Sequence, residues 1–425
     1  PMSFHSGRVS FCRFHVTGDA PPAVDETALS ILKEHKFQET EIGAPDEVEV
    51  GWITGEHLLD TQFSFEKNGY GSPAEPMLLL AMRMDTHKVP ADVKQAYRKI
   101  NEQAAAAGNP SGFASKADKR DAKDTAGRQI QEDLAAGKYR RSKQVPVLWD
   151  LKRNVVYCGA SGNTVIEELA SLFRRSFSVE LEPMSSGTLA GQVMRSEGKS
   201  RDWEDLHPSP FTNPPAEAHA DHEEAEGPGD VTVPSIPWRA QAVDLKDFLG
   251  NEFLLWLWWK CATAEGMIDV NWPGGRTGEV FVAMDKTLDM DCAWDVRGKQ
   301  SLRGHAPQRL GEAGEALATG KWPRKAGLIL SDGEHQWELS LQADRWQVGS
   351  AALPEIPDAQ NPRELTEARL ELVRALAATL DAMYQAFLHR RIGGGWTNDR
   401  QAMRDWIKKQ RPGRPAATVE AVAGV

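Results

Sequence analysis

The sequence has few cysteines, and their spacing argues against two classes of protein. Its four cysteines, Cys12, Cys158, Cys261 and Cys292, lie far apart and form no C-x-x-C pair. A disulfide scaffold or a structural zinc site needs closely and regularly spaced cysteines. We therefore predict reduced thiols, as in a cytoplasmic protein, and neither a metal ion nor another cofactor.

The sequence also lacks a long apolar run. Its most apolar segment, residues 248–259, is much shorter than the roughly 20 residues that span a bilayer. Residues 2–16 are interrupted by histidines and arginines, so they predict a strand and not a secretory signal. Because segment 248–259 is apolar on every side, it predicts a buried helix, and its Trp256, Trp258 and Trp259 predict core packing more than a platform for bases. These patterns predict a protein without a membrane segment.

Common catalytic motifs are missing as well. The chain contains no G-x-S-x-G, no H-E-x-x-H and no plausible Cys/His pair, so we predict that it is not an enzyme. One alternative remains, a metal-dependent nuclease that uses Asp289 and Asp291. In a strand these alternate residues share one face, which is more typical of two solvated carboxylates than of a metal site. Four further potential metal ligands lie in a polar, acidic segment, where solvated side chains are expected: His219, His222, Glu223 and Glu224.

Positive charge is concentrated in one part of an acidic chain. The 425 residues carry a net charge of −11, which disfavours a nucleic-acid partner unless a local surface is basic. Residues 116–153 hold eleven Lys/Arg against six Asp/Glu, a local charge of +5. Cations bind phosphates without sequence information, and an exposed aromatic can stack on a base or enter a groove. The candidate DNA-binding residues in this segment are Lys116, Lys119, Arg120, Lys138, Tyr139, Arg140, Arg141 and Lys143.

Residues 202–230 have the opposite character. They contain nine acids, no basic residue and many Pro, Ala and His. Such a composition cannot bury enough apolar surface to order itself, so it predicts an exposed linker or insertion. This segment supports a second hypothesis, in which the protein is an interaction scaffold or a defence-system partner that binds through the insertion.

The order of patterns predicts an α+β fold with mixed or antiparallel sheets and packed helices. Alternating apolar residues predict several strands, and Asp332-Gly333 predicts a hairpin turn between two of them. A long helix is expected after Asn361-Pro362, followed by a basic tail beyond Gly393. The predicted units are residues 2–100 (an α+β unit), 101–145 (a basic, partly helical tip), 146–200 (a hairpin and a helix), 201–235 (the acidic linker), 236–395 (a second α+β unit) and 396–425 (the tail).

Several short segments, taken in order, resemble the bacterial recombination-associated protein RdgC family. The matches are residues 51–53 (GWI), 88–100 (KVPADVKQAYRKI), 134–150, 164–175 and 318–341 (ATGKWPRKAGLILSDGEHQWELSL). The resemblance covers about half of the chain, and residues 185–311 have no recognisable counterpart in that family.

The resemblance implies an α+β, horseshoe-like protomer that pairs into a homodimeric ring around double-stranded DNA. Such proteins are nucleoid-associated, bind DNA with little sequence preference and restrain RecA-driven strand exchange, so recombination proteins are possible partners. It places Tyr139 at a protruding tip, with Lys138, Arg140, Arg141 and Lys143 beside it. It also makes Lys321 and Lys325 candidates for the inner wall of the ring.

Overall fold

The chain folds into two compact units that both combine sheet and helices. The computed structural model describes residues 4–39, 46–110, 112–215, 233–294 and 298–410. The N-terminal unit is Phe14–Glu182, and the C-terminal unit joins Pro1–Arg13 to Pro183–Val425. Helices pack on largely antiparallel strands in each unit, which confirms the predicted α+β class. The division falls within the first strand, β1 (Val9–Thr17).

The N-terminal unit is built on a sheet in which one long strand, Met77–His87, is buried at all but one residue. Its strands are β2 (Val48–Ile53), β3 (Gly69–Tyr70), β4 (Met77–His87), β5 (Arg140–Asp150), β6 (Val155–Cys158) and β7 (Glu180–Pro183). Its helices are α1 (Glu26–Glu34), α2 (Phe65–Asn68), α3 (Ala91–Ala107), α4 (Lys116–Ala135) and α5 (Asn163–Phe177). The order β1-β6-β5-β4-β2 makes β4 and β5 neighbours along their whole length.

An aromatic cluster fixes α5 on this sheet. The ring centroids of Trp52 and Phe173 are 5.2 Å apart, and Trp149 lies 5.2 Å from Phe173 and 5.1 Å from Phe177, all in edge-to-face arrangements. The Trp52 indole N–H also donates to Ser176 Oγ at 2.9 Å. Edge-to-face aromatic pairs stabilise by about 0.5–1.5 kcal/mol beyond their buried area. The cluster makes β4 and β5 a firm base for the helices that connect them.

The C-terminal unit has a second sheet, in the order β10-β9-β11-β12-β13-β1 with β8 paired to β9. Asp332-Gly333 forms the predicted turn between β11 and β12, with Gly333 at a positive φ of 91°. Its strands are β8 (Met267–Asn271), β9 (Thr277–Cys292), β10 (Lys299–Gly304), β11 (Lys321–Ser331), β12 (Gln336–Gln342) and β13 (Gln347–Ala352). Its helices are α6 (Ser186–Ser196), α7 (Ser200–Glu204), α8 (Phe248–Thr263), α9 (Gly311–Ala318), α10 (Pro362–Ile392) and α11 (Trp396–Lys409), with 3-10 turns at Pro237–Gln241 and Pro307–Arg309.

Helix α8 is the centre of the C-terminal core, as its all-round apolar sequence predicts. Every residue from Phe248 to Trp258 is buried. Phe253 packs against Trp346, Tyr384 and Phe387 at centroid distances of 5.4–5.7 Å. The prediction of a buried helix is confirmed, and two of its tryptophans, Trp256 and Trp258, are not available to stack on bases.

The prediction of an exposed acidic linker is wrong for the first part of residues 202–230. Leu206 and Phe211 are buried, and Phe211 packs 5.4 Å from Trp322. The Ser209 backbone N–H donates to the Glu252 carboxylate at 2.6 Å. The apolar residues interspersed with proline supply the buried area that the average composition concealed. Residues 216–232, which include the four potential metal ligands named above, lie outside the described residues.

The basic tail and the other unit boundaries also differ from prediction. Residues 396–409 form the amphipathic helix α11, whose Trp396, Met403 and Ile407 are buried. Residues 101–145 are not a separate unit, because they belong to the connection between β4 and β5. Segment 146–200 is divided between the two units after Glu182. These boundaries depend on which distant strands pair with each other, and local composition does not reveal that pairing.

Candidate nucleic-acid interface

The connection between β4 and β5 is a helical hairpin that has almost no core. We call α3, α4 and the described residues between them, 108–110 and 112–115, the arm. No residue of α3 is buried, and α4 buries only Ala122 and Ala126. Polar contacts join the helices: Tyr97 Oη donates to Asp133 at 2.6 Å, and Asn101 Nδ2 donates to Gln129 at 3.0 Å. At 1.5 Å per residue, α4 is about 30 Å long.

The aromatic residue at the turn of the arm is Phe113, and not the expected Tyr139. The Phe113 side chain is 80% exposed. Its carbonyl accepts a hydrogen bond from Asn109 Nδ2, and the same amide group donates to Asp118 in the first turn of α4. The turn is therefore ordered by capping contacts while it presents a large apolar ring to solvent. The Asn-Pro-Ser-Gly sequence before Phe113 is a turn pattern that identifies this position.

Tyr139 lies at the other end of the arm and is held there. Its hydroxyl donates to Asp133 Oδ2 at 3.2 Å, and Lys138 Nζ lies 3.1 Å from the same oxygen. The hydrogen bond from Tyr97, together with those from Lys138 and Tyr139, lowers the pKa of Asp133. Tyr139 and Lys138 thus fasten the arm to its base, which corrects the prediction of a protruding Tyr139.

The cations that follow Tyr139 are in strand β5 and differ in how their charge is compensated. Arg140 forms an ion pair with Glu39 at 2.8 Å, and Arg83 binds the same carboxylate at 2.9 Å. Arg141 and Lys143 are exposed and make no ion pair with any described residue. Since alternate strand residues share a face, these two side chains are on the same side of β5.

A concave, partly basic surface lies beside Arg141. Arg141 and the exposed Lys88 line a cavity of about 470 Å³ together with Pro90 and Ala91, at the start of α3, and Thr164, near the start of α5. Helix N-termini carry partial positive charge and unsatisfied N–H groups. One carboxylate, Glu47, also lines the cavity. The N–H groups at the helix starts, together with the cations Lys88 and Arg141, suit an anionic group such as a backbone phosphate.

Helix α4 is nearly neutral overall, yet its charges are segregated. Lys116, Lys119, Arg120 and Lys123 are exposed and fall within an arc of about 100° on the helix. All five acids of α4 lie outside this arc, and two of them, Asp118 and Asp133, are occupied by the contacts described above. We call the four cations the α4 stripe. Three of them were predicted from sequence, and Lys123 is added by the helical geometry.

The remaining candidates are in the C-terminal unit. Lys321 and Lys325 lie on β11, both partly buried, and Lys321 Nζ is 3.4 Å from Gln300 Oε1. Asp289 and Asp291 share one face of β9, as alternation predicts. Each carboxylate faces an arginine, Arg303 at 2.7 Å and Arg324 at 3.6 Å respectively. Opposite charges compensate the two acids, which argues against a nuclease centre here.

Comparisons with known proteins do not add to these contacts. No protein-family model matches the chain, and no curated protein matches it. Among the described residues, no three His, Cys, Asp or Glu side chains come together in a way that could hold a metal ion. The helices in the described ranges are all too short or too polar to cross a membrane.

Proposed function

We propose that the protein binds double-stranded DNA through the arm and the adjoining cations Lys88, Arg141 and Lys143, without reading the DNA sequence. The observation that carries the proposal is charge segregation. Residues 88–143 hold thirteen Lys/Arg against seven Asp/Glu, a local charge of +6, so the rest of the chain carries −17. A polyanion is attracted to the one basic segment and repelled by the remainder, which directs it to the arm.

The types of contact available favour backbone recognition. Lysine and arginine side chains of the α4 stripe, with Lys88, Arg141 and Lys143, can neutralise phosphates in many registers. Phe113 can make apolar contact with the groove or with a base step, which needs no particular base. Reading a base sequence requires several polar side chains on a helix or strand that fits into a groove, each bonded to a base edge. The contacts described here do not form that pattern.

The wider role follows the family resemblance. RdgC-like proteins act as homodimers and restrain strand exchange, and on that basis we propose a homodimer that modulates homologous recombination. The matched segments include the first part of α3 and the strand β5, so they lie at the two ends of the arm. The alternatives, a scaffold and a nuclease, receive less support, since part of the acidic segment is core and Asp289 and Asp291 are ion-paired.

Neutralising the α4 stripe tests the proposal. In the variant K116A/K119A/R120A/K123A we expect weaker binding to every duplex alike, with a slope of log affinity against log salt reduced by about 3.6, because each lost phosphate contact contributes about 0.9. The measurement is a mobility-shift titration of two unrelated duplexes at several salt concentrations.

A matched variant controls for net charge. It removes four exposed cations of the same unit that lie outside the arm: Lys33, Lys36, Lys152 and Arg175. This variant should keep most of its affinity. Equal losses in both variants would show a diffuse charge effect and contradict a site on the arm. Absence of any duplex binding by the unaltered protein at low salt would end the proposal.

A further inference from the structure

The C-terminal unit contains a cavity that DNA binding does not explain. It lies among the end of α8, strand β9, the turn Pro307–Arg309 and helix α11, and its volume is about 630 Å³. Cavities of roughly 300–1,000 Å³ hold small organic ligands. Most of its lining comes from residues 258–309, within the part of the chain that has no counterpart in the RdgC-like family.

The walls of this cavity combine flat aromatic rings with polar side chains. Trp258 and Trp406 meet edge to face, with centroids 5.7 Å apart and an interplanar angle of 79°. Met284 is buried, whereas Phe281 is 40% exposed. The half-exposed Phe281 and the partly exposed Trp406 offer area for a planar ring that enters from solvent, and the buried Trp258 supports Trp406.

Three polar groups give the cavity directionality. The side-chain oxygen Oε1 of Gln308 is buried, and no donor among the described residues reaches it. Arg309 follows in the chain and is exposed at the cavity. The Cys261 thiol donates to the Val282 carbonyl at 3.3 Å. Leaving a buried acceptor without a donor costs about 1–3 kcal/mol, so a rotation of the Gln308 amide toward a ligand N–H would recover part of that cost.

Cys261 lines the cavity but is not an activated nucleophile. Burial raises the pKa of its thiol to about 11, so the sulfur stays protonated near neutral pH. The thiolate is the reactive form of cysteine. The cavity therefore has the groups for reversible recognition and lacks an activated nucleophile among its lining residues.

We propose that this cavity binds a planar aromatic molecule that carries an N–H donor and an acidic group. The ring lies against Trp406 and Phe281, the Gln308 amide turns to accept the N–H, and the anion pairs with Arg309. One carboxylate, Glu265, also lines the cavity and limits the ligand to a single negative charge near Arg309. This site is independent of the arm, so its failure would not affect the proposal of DNA binding.

A pair of fluorescent probes tests the proposal directly. The probe 2-anilinonaphthalene-6-sulfonate has a fused ring, an N–H and a sulfonate at separate positions, and N-phenyl-2-naphthylamine is its analogue without the sulfonate. We expect one sulfonate probe to bind per chain. Arg309→Ala should weaken the sulfonate probe about tenfold and leave the uncharged analogue unchanged, whereas Trp406→Ala should weaken both.

Two controls separate this site from non-specific probe binding. Arg345→Ala removes another exposed arginine of the same unit and should change neither probe. Gln308→Leu keeps the size of the side chain, removes the acceptor and should weaken both probes. Circular dichroism and the urea midpoint check that each variant is folded. Sulfonate affinity that is equal in the unaltered protein and in folded Arg309→Ala would overturn the proposal, as would several probe molecules bound per chain.

Discussion

The arm and the core around α8 are both helical, but different forces hold them. In α3 and α4 two alanines are the only buried residues, and hydrogen bonds at Asp133 and Asp118 keep the helices together. In α8 eleven consecutive residues are buried, and Phe253 packs against Phe387 of α10 and against Trp346, which immediately precedes β13. The arm leaves polar and charged side chains in water, where a partner could reach them. The core around α8 removes apolar surface from water, which stabilises the fold.

The largest expected effect is on the stability of the core. Phe253→Ala should lower the free energy of unfolding by about 3–5 kcal/mol, because a buried phenylalanine loses both its transfer energy and its packing partners. Phe113→Ala, at an 80% exposed position, should leave that free energy unchanged. Urea denaturation of the two variants measures the contrast. A loss of stability in Phe113→Ala would show that the arm is packed and not free for a partner.

The next effect concerns DNA affinity when the whole arm is removed. His87 and Arg140 are paired residues at the ends of β4 and β5, so an Asn-Gly turn can replace residues 88–139 and join the strands as a hairpin. We expect the free energy of unfolding to change by no more than about 1 kcal/mol. Duplex affinity should fall on the order of a hundredfold at low salt, since Lys88 and all four cations of the α4 stripe are lost from the proposed interface.

Mobility shifts and urea denaturation of this shortened chain check both parts of that expectation. A folded chain that still binds duplexes with unaltered affinity would place the binding surface outside the arm. A chain that fails to fold would contradict the view that the arm contributes little to the core of the N-terminal unit.

A smaller effect separates a buried carboxylate from a partly exposed one in the same unit. Asp60 is buried and accepts hydrogen bonds from Thr54, Gln62 and Lys67 at 2.6–3.0 Å, and these donors lower its pKa to about 2 against the opposing effect of burial. Asp60→Asn should cost about 1–2 kcal/mol at pH 7. Asp133→Asn, at the partly exposed base of the arm, should have a smaller effect on stability, within about 1 kcal/mol.

The pH dependence gives a second test of Asp60. Because its pKa is lower in the folded state than its ordinary value of 3.8, the stabilisation is complete above that value and is lost as pH falls toward about 2. The difference between the unaltered protein and Asp60→Asn, measured by urea denaturation, should therefore shrink between pH 4 and pH 2. A difference that stays constant over this range would show that the charge of Asp60 is not responsible.

Sequence patterns predicted the site in part. Lys116, Lys119 and Arg120 were predicted because positive charge is concentrated in residues 116–153 of an acidic chain, whereas Lys123 was added only by the geometry of α4. Tyr139 was placed at a tip by the family resemblance, and local sequence does not show where β5 begins. The pairing of β5 with β4 begins at Arg140, and this puts Tyr139 beside Asp133 and leaves Phe113 at the turn.

The sequence by itself determined the α+β class, the all-round burial of α8, the Asp332-Gly333 turn and the position of the basic segment, because each depends on neighbouring residues and their periodicity. Tertiary structure alone decided which cations stay uncompensated, since Arg140 is paired by Glu39 from a distant part of the chain while Arg141 is not. It also decided that Leu206 and Phe211 are core and that a cavity forms beside Trp406. Burial and ion pairing depend on residues brought together by long-range strand pairing, and no local pattern contains that information.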